Sequence, residues 1–271
     1  MRERGVSTGT SDVILEAQDV SRSFRGLQAL ADYDLRLHTG EILGVIGPNG
    51  AGKTTLFNLI TGLIMTNQGE IRFDGHNIVG LRPSQILAAG IARTFQNVRL
   101  FPEMTVLENV MVARHCRTRS GMLKAILRLP SFRQEEEETR QRAEQALAFF
   151  GTRLTGWRFD TLARSLSYAN RRRLEIARAM VSGPRMILLD EPTAGMNPRE
   201  THELIELIHR LRDQTGITIT LIEHDMRVVK GVSDRVVVLD HGDKLAEGPY
   251  DEVASNEQVI EAYLGRKGAT A

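Results

Sequence analysis

The chain runs to 271 residues, 41% hydrophobic and 25% charged, which is enough apolar material for one sizeable core and a squeeze for two. Its 35 Lys and Arg nearly cancel 34 Asp and Glu, so no global field draws it to nucleic acid or an anionic bilayer. No apolar run approaches the roughly 18 to 20 residues that span a membrane. The polar N-terminus lacks the apolar segment of a secretory signal, and the one cysteine, Cys116, can form no internal disulfide. A reducing, cytoplasmic location is expected, with any membrane attachment made through a partner.

Residues 1–11 are rich in Gly, Ser, Thr and Arg without periodicity and read as a frayed tail. Short β-like runs at 14–17, 33–37 and 42–46, with turn signals such as Thr39-Gly40 between them, predict strand-rich structure feeding a buried strand. After Lys53 the spacing of Leu56, Leu59 and Ile60 becomes helical and ends near Gly62. A strand pair is expected at 70–73 and 90–94. From 106 to about 161 the pattern is mostly helical. Within it, Glu136 and Glu138 stand at i,i+4 from Arg140 and Arg142, the spacing of a solvated helix face. The chain then alternates: helix 171–181, strand 186–190, helix 198–214, strand 217–222, helix 226–231, strand 235–239. Such alternation builds a parallel sheet with helices on both faces, so a helical block sits inside an α/β core.

Gly47-Pro48-Asn49-Gly50-Ala51-Gly52-Lys53-Thr54 fits G-x-x-x-x-G-K-[ST] and falls between an apolar strand and a helix, the context that this phosphate-binding loop requires. Its glycines let the backbone wrap phosphate oxygens, and the helix start offers free N–H groups. Lys53 supplies a charge to the β/γ-phosphates, Thr54 a hydroxyl for Mg²⁺, and Thr55 a bond to the α-phosphate. The apolar run Met186-Ile187-Leu188-Leu189 ends in Asp190 and Glu191, at the strand end where open α/β sheets bind ligands. Asp190 is placed to hold the Mg²⁺ shell and Glu191 to polarise the water that attacks the γ-phosphate. His224, after the run 217–222, is expected to sense that phosphate and steady the water.

In order along the chain, these segments join Phe24 in Val20-Ser21-Arg22-Ser23-Phe24 and Gln96 in Thr94-Phe95-Gln96. They also join Leu166-Ser167-Tyr168-Ala169-Asn170-Arg171 and Ala194-Gly195-Met196-Asn197-Pro198. Together they resemble the ABC-transporter ATPase family over about 13–265, nearly the whole chain. The resemblance implies an α/β fold: a P-loop ABC ATPase core with an antiparallel β subdomain and an inserted helical subdomain. It would form a single ATP-binding domain over 12–266, with the helical subdomain at about 97–165 and tails at 1–11 and 267–271. Phe24 is similar to the aromatic that stacks on adenine, and Gln96 to the glutamine that links nucleotide and metal to the permease groove. Ser167, Tyr168, Ala169 and Asn170 stand in the place of the signature motif.

Two such subunits would sandwich two ATP molecules with Mg²⁺ and drive transmembrane permease subunits, served by a solute-binding protein; no nucleic acid partner is implied. Ala169 and Asn170 replace the family's usual Gly-Gln. The added Cβ and the shorter side chain are expected to weaken the ATP site that this signature completes on the partner. Asn197 stands where aspartate is common. Arg93-Thr94-Phe95-Gln96-Asn97-Val98-Arg99-Leu100-Phe101 and the terminal Ala262-Tyr263-Leu264-Gly265 resemble branched-chain amino acid uptake subunits. The stretch 121–133 resembles the longer of that system's two ATPase subunits. Urea or amide importers, the lipopolysaccharide-export ATPase and a non-transport ABC ATPase are the competing readings.

Overall fold

The computed structural model describes residues 13–114 and 130–264; the expected tails, Cys116 and most of the 121–133 stretch lie outside the described residues. β1 (Val13–Phe24) and β2 (Leu27–His38) form an antiparallel hairpin. Its two-residue turn puts Arg25 at φ 48° and Gly26 at φ 90°, the twist that tight hairpins favour. β3 (Ile42–Ile46) is buried along its whole length and feeds α1 (Lys53–Ile60). β4 (Gln68–Phe73), β5 (His76–Asn77), α2 (Pro83–Ala89) and β6 (Ile91–Arg93) follow. α3 (Val106–Ala113) and α4 (Pro130–Ala148) lead to α5 (Tyr168–Met180). The rest alternates: β7 (Met186–Asp190), α6 (Pro198–Thr215), β8 (Thr218–Ile222), α7 (Met226–Val232), β9 (Arg235–Asp240), β10 (Asp243–Gly248), α8 (Tyr250–Ala254) and α9 (Glu257–Leu264).

The strands make two sheets. One is antiparallel in the order β2-β1-β4-β5; the other runs β10-β9-β3-β8-β7-β6, parallel throughout except for β10. Helix α1 lies between them, with Leu56, Phe57 and Ile60 packed among Leu15, Leu30, Val45 and Leu188. On the opposite face of the parallel sheet, Leu174 and Ala177 of α5 and Leu204 and Ile208 of α6 pack with Ile187 and Leu189. Val106, Val110 and Leu147 extend that second cluster into α3 and α4. Central parallel strands bury both faces, which is why β3, β7 and β8 read as unbroken apolar or β-branched runs.

Four local expectations change. The runs at 70–73 and 90–94 do not pair: β4 joins β1 in one sheet and β6 joins β7 in the other, because α2 carries the chain from sheet to sheet. The helical stretch expected to 161 ends at Ala148, where Gly151 (φ 58°) and Gly156 (φ 69°) turn the chain into short 3₁₀ segments. The helix expected from 171 starts at Tyr168, because Ser167 Oγ accepts the Asn170 N–H at 3.4 Å and caps it. On α4, Arg140 pairs with Glu144 at 2.9 Å in place of Glu136.

Candidate functional site

The phosphate loop is held from both sides by backbone. A Cβ on Gly47 (φ 147°) would sit 2.0 Å from Leu239 O, and one on Gly52 (φ 106°) would sit 2.4 Å from Ala29 O. The Gly242 N–H donates to Ala51 O at 3.1 Å, and the Ala31 N–H donates to Gly242 O at 3.0 Å. The turn after β9 and the hairpin strand β2 therefore clamp the loop, and only glycine fits at its two pinch points. Asn49, Gly50 and Thr54 are exposed, while Ala51 is buried and Pro48 and Thr55 are half-buried. Lys53 folds back over the loop, donating to Gly47 O (2.6 Å) and Pro48 O (2.8 Å). Burial holds its ammonium below the ordinary lysine range, against the pull of Glu191 and Asp190. A cation folded over a cradle of backbone N–H groups is a ready phosphate site.

The paired carboxylates stand at the C-terminal end of β7. Glu191 is at φ 47°, a costly backbone state for a non-glycine residue that turns the chain sharply after the strand. Gln96 Nε2 donates to Glu191 Oε1 at 3.1 Å, and His224 Nε2 lies 3.0 Å from the same oxygen. Three residues singled out from distant parts of the sequence thus meet on one carboxylate.

Phe24 lies apart, 41% exposed at the hairpin tip, with the Arg22 guanidinium 4.6 Å above its ring. Ser167 and Tyr168 are exposed, but Ala169 and Asn170 face inward, 2% and 7% exposed. Asn170 Oδ1 accepts from Arg173 Nη1 at 3.0 Å, and Arg173 goes on to Glu203 of α6 at 2.8 Å. The expected crowding of a partner's phosphate by the Ala169 Cβ does not fit this packing, since that side chain is enclosed by its own subunit. Tyr168 instead packs against Gly195.

The pairings of four buried charged side chains are not legible in the sequence. Arg93 pairs with Asp190 at 2.8 Å. Arg172 donates to Phe95 O and Gln96 O and pairs with Glu175, which accepts the Phe95 N–H at 3.2 Å. Burial pushes the Glu175 carboxyl up from its ordinary value. Glu223 accepts from Thr193 N (2.8 Å) and Oγ1 (2.6 Å), tying the Ala194-Gly195 turn to the histidine loop. Arg93 and Glu175 are charged residues inside otherwise apolar segments, a signal that does not say what they pair with.

A strand-loop-helix cradle beside a strand ending in two carboxylates, at the C-terminal edge of a parallel sheet, defines a P-loop ATPase. The family model described as ABC transporter matches residues 30–194, and one described as branched-chain amino acid ATP-binding cassette transporter matches 244–269. The chain belongs to the ABC transporter ATP-binding family. It is 45% identical over 255 residues to the high-affinity branched-chain amino acid transport ATP-binding protein LivG of Escherichia coli strain K12, covering 94% of this chain and 99% of that one. Against BraF of Pseudomonas aeruginosa, which carries the same description, identity is 43% over 257 residues, with 93% and 98% covered. Among solved structures, the ADP conformation of an ATP-binding cassette of an ABC transporter superposes with a TM-score of 0.81 at 32% identity, covering 94% of this chain and 99% of that one.

Proposed function

We propose that this chain is the ATP-hydrolysing subunit of an importer for branched-chain amino acids. It would act at the cytoplasmic face of the membrane, docked on permease subunits and paired with a second ATP-binding subunit. A solute-binding protein would deliver the substrate. The reading treats 12–266 as one ATP-binding domain with a helical subdomain at about 97–165. Its support is the 45% identity to LivG over nearly the whole chain, together with the C-terminal match at 244–269. Among the described residues no helix is long and apolar enough to cross a membrane.

The observation that carries the chemistry is the Glu191 carboxylate, held on Oε1 by Gln96 and His224. Both bonds fall on one oxygen, which leaves Oε2 to accept a hydrogen bond from water and aim its lone pair at the γ-phosphate. Phosphoryl transfer needs mainly such positioning and charge neutralisation. Ser167 and Tyr168 would meet the partner's nucleotide, and Phe24 would stack on adenine. The groups assigned to Mg²⁺, the Thr54 hydroxyl, the Gln96 amide oxygen and the Asp190 carboxylate, are hard oxygen donors of the kind that cation takes. Among the described residues no cluster of three His, Cys, Asp or Glu is gathered, which fits a cation held largely by phosphates and water. When bound, Mg²⁺ would neutralise charge on the phosphate oxygens.

Glu191→Gln tests the assignment. In the assembled transporter ATP affinity should stay within about threefold of wild type while turnover falls about 100-fold or more, because the amide keeps the shape and loses the charge. Unchanged turnover would remove Glu191 from the chemistry. Lys53→Ala should instead weaken nucleotide binding itself, measured with a fluorescent ATP analogue. The solute is tested separately, by deleting the chain and measuring uptake of labelled leucine, isoleucine and valine. Retained uptake of all three, with loss of urea or amide uptake, would reassign the transporter.

A further inference from the structure

Arg93 ends β6, three residues before Gln96, and its side chain is enclosed. The Arg93 and Asp190 side chains are 6% and 5% exposed, and Arg93 Nη2 donates to Asp190 Oδ2 at 2.8 Å. The other guanidinium nitrogen, Nη1, donates to Asn58 Oδ1 at 2.7 Å and to Thr61 Oγ1 at 3.3 Å. Both acceptors belong to the helix that begins at Lys53 and to its C-cap. The guanidinium also lies 5.4 Å from the Phe57 ring centroid and 5.3 Å from that of Phe95. Beside it, the Asp190 N–H donates to Thr94 Oγ1 (3.3 Å) and the Thr94 N–H to Leu188 O (2.9 Å). One planar cation thus touches the phosphate-loop helix, the carboxylate strand and the segment leading to Gln96.

We propose that Arg93 is the positioning residue of the metal site: by occupying Asp190 Oδ2 it reserves Oδ1 for the Mg²⁺ shell and sets how readily the nucleotide recruits its metal. The proposal rests on the assignment of Mg²⁺ to Asp190. A ligating carboxylate is aimed by whatever holds its other oxygen, and loss of such a partner typically costs about 10- to 100-fold in metal affinity. Lysine cannot stand in for arginine here. Its single ammonium cannot reproduce the planar fork that reaches Asn58 and Asp190 at once beside the Phe57 and Phe95 rings. An ion pair that merely fastens β6 to β7 would leave metal recruitment untouched.

The test is binding of a fluorescent ATP analogue to the purified full chain while Mg²⁺ is titrated in from EDTA. For Arg93→Lys, affinity without metal should stay within about twofold of wild type, while the half-saturating Mg²⁺ concentration rises about tenfold. Arg93→Ala should raise it further. Asn58→Ala, which loosens Arg93 without removing its charge, should raise it about threefold and decides the matter if neither Arg93 variant folds. Unchanged Mg²⁺ dependence in a folded Arg93→Lys, with the Mg²⁺-dependent gain abolished in Asp190→Asn, would make the pair structural only. A gain that survives Asp190→Asn would take the metal away from Asp190, and the role of Arg93 with it.

Discussion

The phosphate loop and the α5 helix are held in place by different means. The loop is fixed by backbone: two glycines at positive φ press against Leu239 O and Ala29 O, and N–H groups from flanking turns close the clamp. Helix α5 is fixed by side chains, with Arg172 and Glu175 gripping Phe95 and Gln96 and Arg173 reaching Glu203. A backbone clamp has one geometry and no adjustable part, which suits a cradle for phosphates. A side-chain grip joins two segments, so a shift of Gln96 would be expected to reach the exposed Ser167 and Tyr168, which the variants below test.

The comparison breaks most violently at the loop. Gly52→Ala must place a methyl 2.4 Å from Ala29 O at a backbone angle that alanine resists, and Gly47→Ala is worse at 2.0 Å from Leu239 O. Each should cost about 4 kcal/mol of stability from strain and overlap together, with nucleotide binding lost. Urea unfolding and ATP-analogue binding check both. At the grip, Arg172→Met leaves Glu175 buried beside an apolar chain and should cost about 3 kcal/mol. Arg172→Met with Glu175→Leu should recover stability to within about 1 kcal/mol of wild type. Turnover should not recover, falling about tenfold because the grip is cut. Full turnover in the stable double variant would show that the grip only holds the helix down.

The same contrast decided what the sequence disclosed. The phosphate loop is written in eight consecutive residues, and Asp190, Glu191 and His224 each end an apolar run, so local pattern and strand-end logic were enough. Gln96 needed the family resemblance. The cross-chain partners of Arg93 and Glu175 are not legible, because they lie 97 and 80 positions away. The strand pair at 70–73 and 90–94 failed similarly, since proximity in sequence says nothing about which sheet receives a strand once a helix intervenes. The pattern predicts helix α5 from 171, but Ser167 caps it and it starts at Tyr168. A serine N-cap is a common start signal, and here it adds one turn ahead of Arg171.

A gentler variant separates the two members of the grip. Burial raises the Glu175 carboxyl above its unfolded value, so its ionised form is disfavoured in the folded state. Its contribution is therefore largest below the unfolded carboxylate pKa, about 4.3, and is lost as pH rises through the higher folded value. Glu175→Gln lacks that slope and can still accept the Phe95 N–H. It should lie within about 1 kcal/mol of wild type at neutral pH, far milder than Arg172→Met. Urea midpoints from pH 4 to 8 should draw together at the acid end, where the wild-type carboxyl is protonated, and separate in favour of the variant as pH rises. A variant that loses ground as pH rises would mean that Arg172 outweighs burial.

The smallest expected effect concerns Ala169 and Asn170, where the sequence alone argued for a weakened partner site. Both side chains point into their own subunit, and the exposed groups at the start of α5 are Ser167 and Tyr168. Restoring the family's pair with Ala169→Gly and Asn170→Gln removes a buried methyl from a helical turn and lengthens an amide that already meets Arg173. Glycine in a helix costs about 0.5–1 kcal/mol relative to alanine. The thermal midpoint should therefore fall by a few degrees, since about 1 kcal/mol moves a domain of this size by roughly 2–4 °C. Turnover of the assembled transporter should change by less than about twofold, because no group facing the nucleotide has been altered. The measurement is made with the partner subunit's catalytic carboxylate intact and again with it neutralised, so that each ATP site is read alone. A rise of fivefold or more at the site completed by this signature would show that the two positions turn outward when the subunits close. The side-chain grip on α5 would then have to be released in that step, and the static contrast between clamp and grip would become a difference between two states of the same helix.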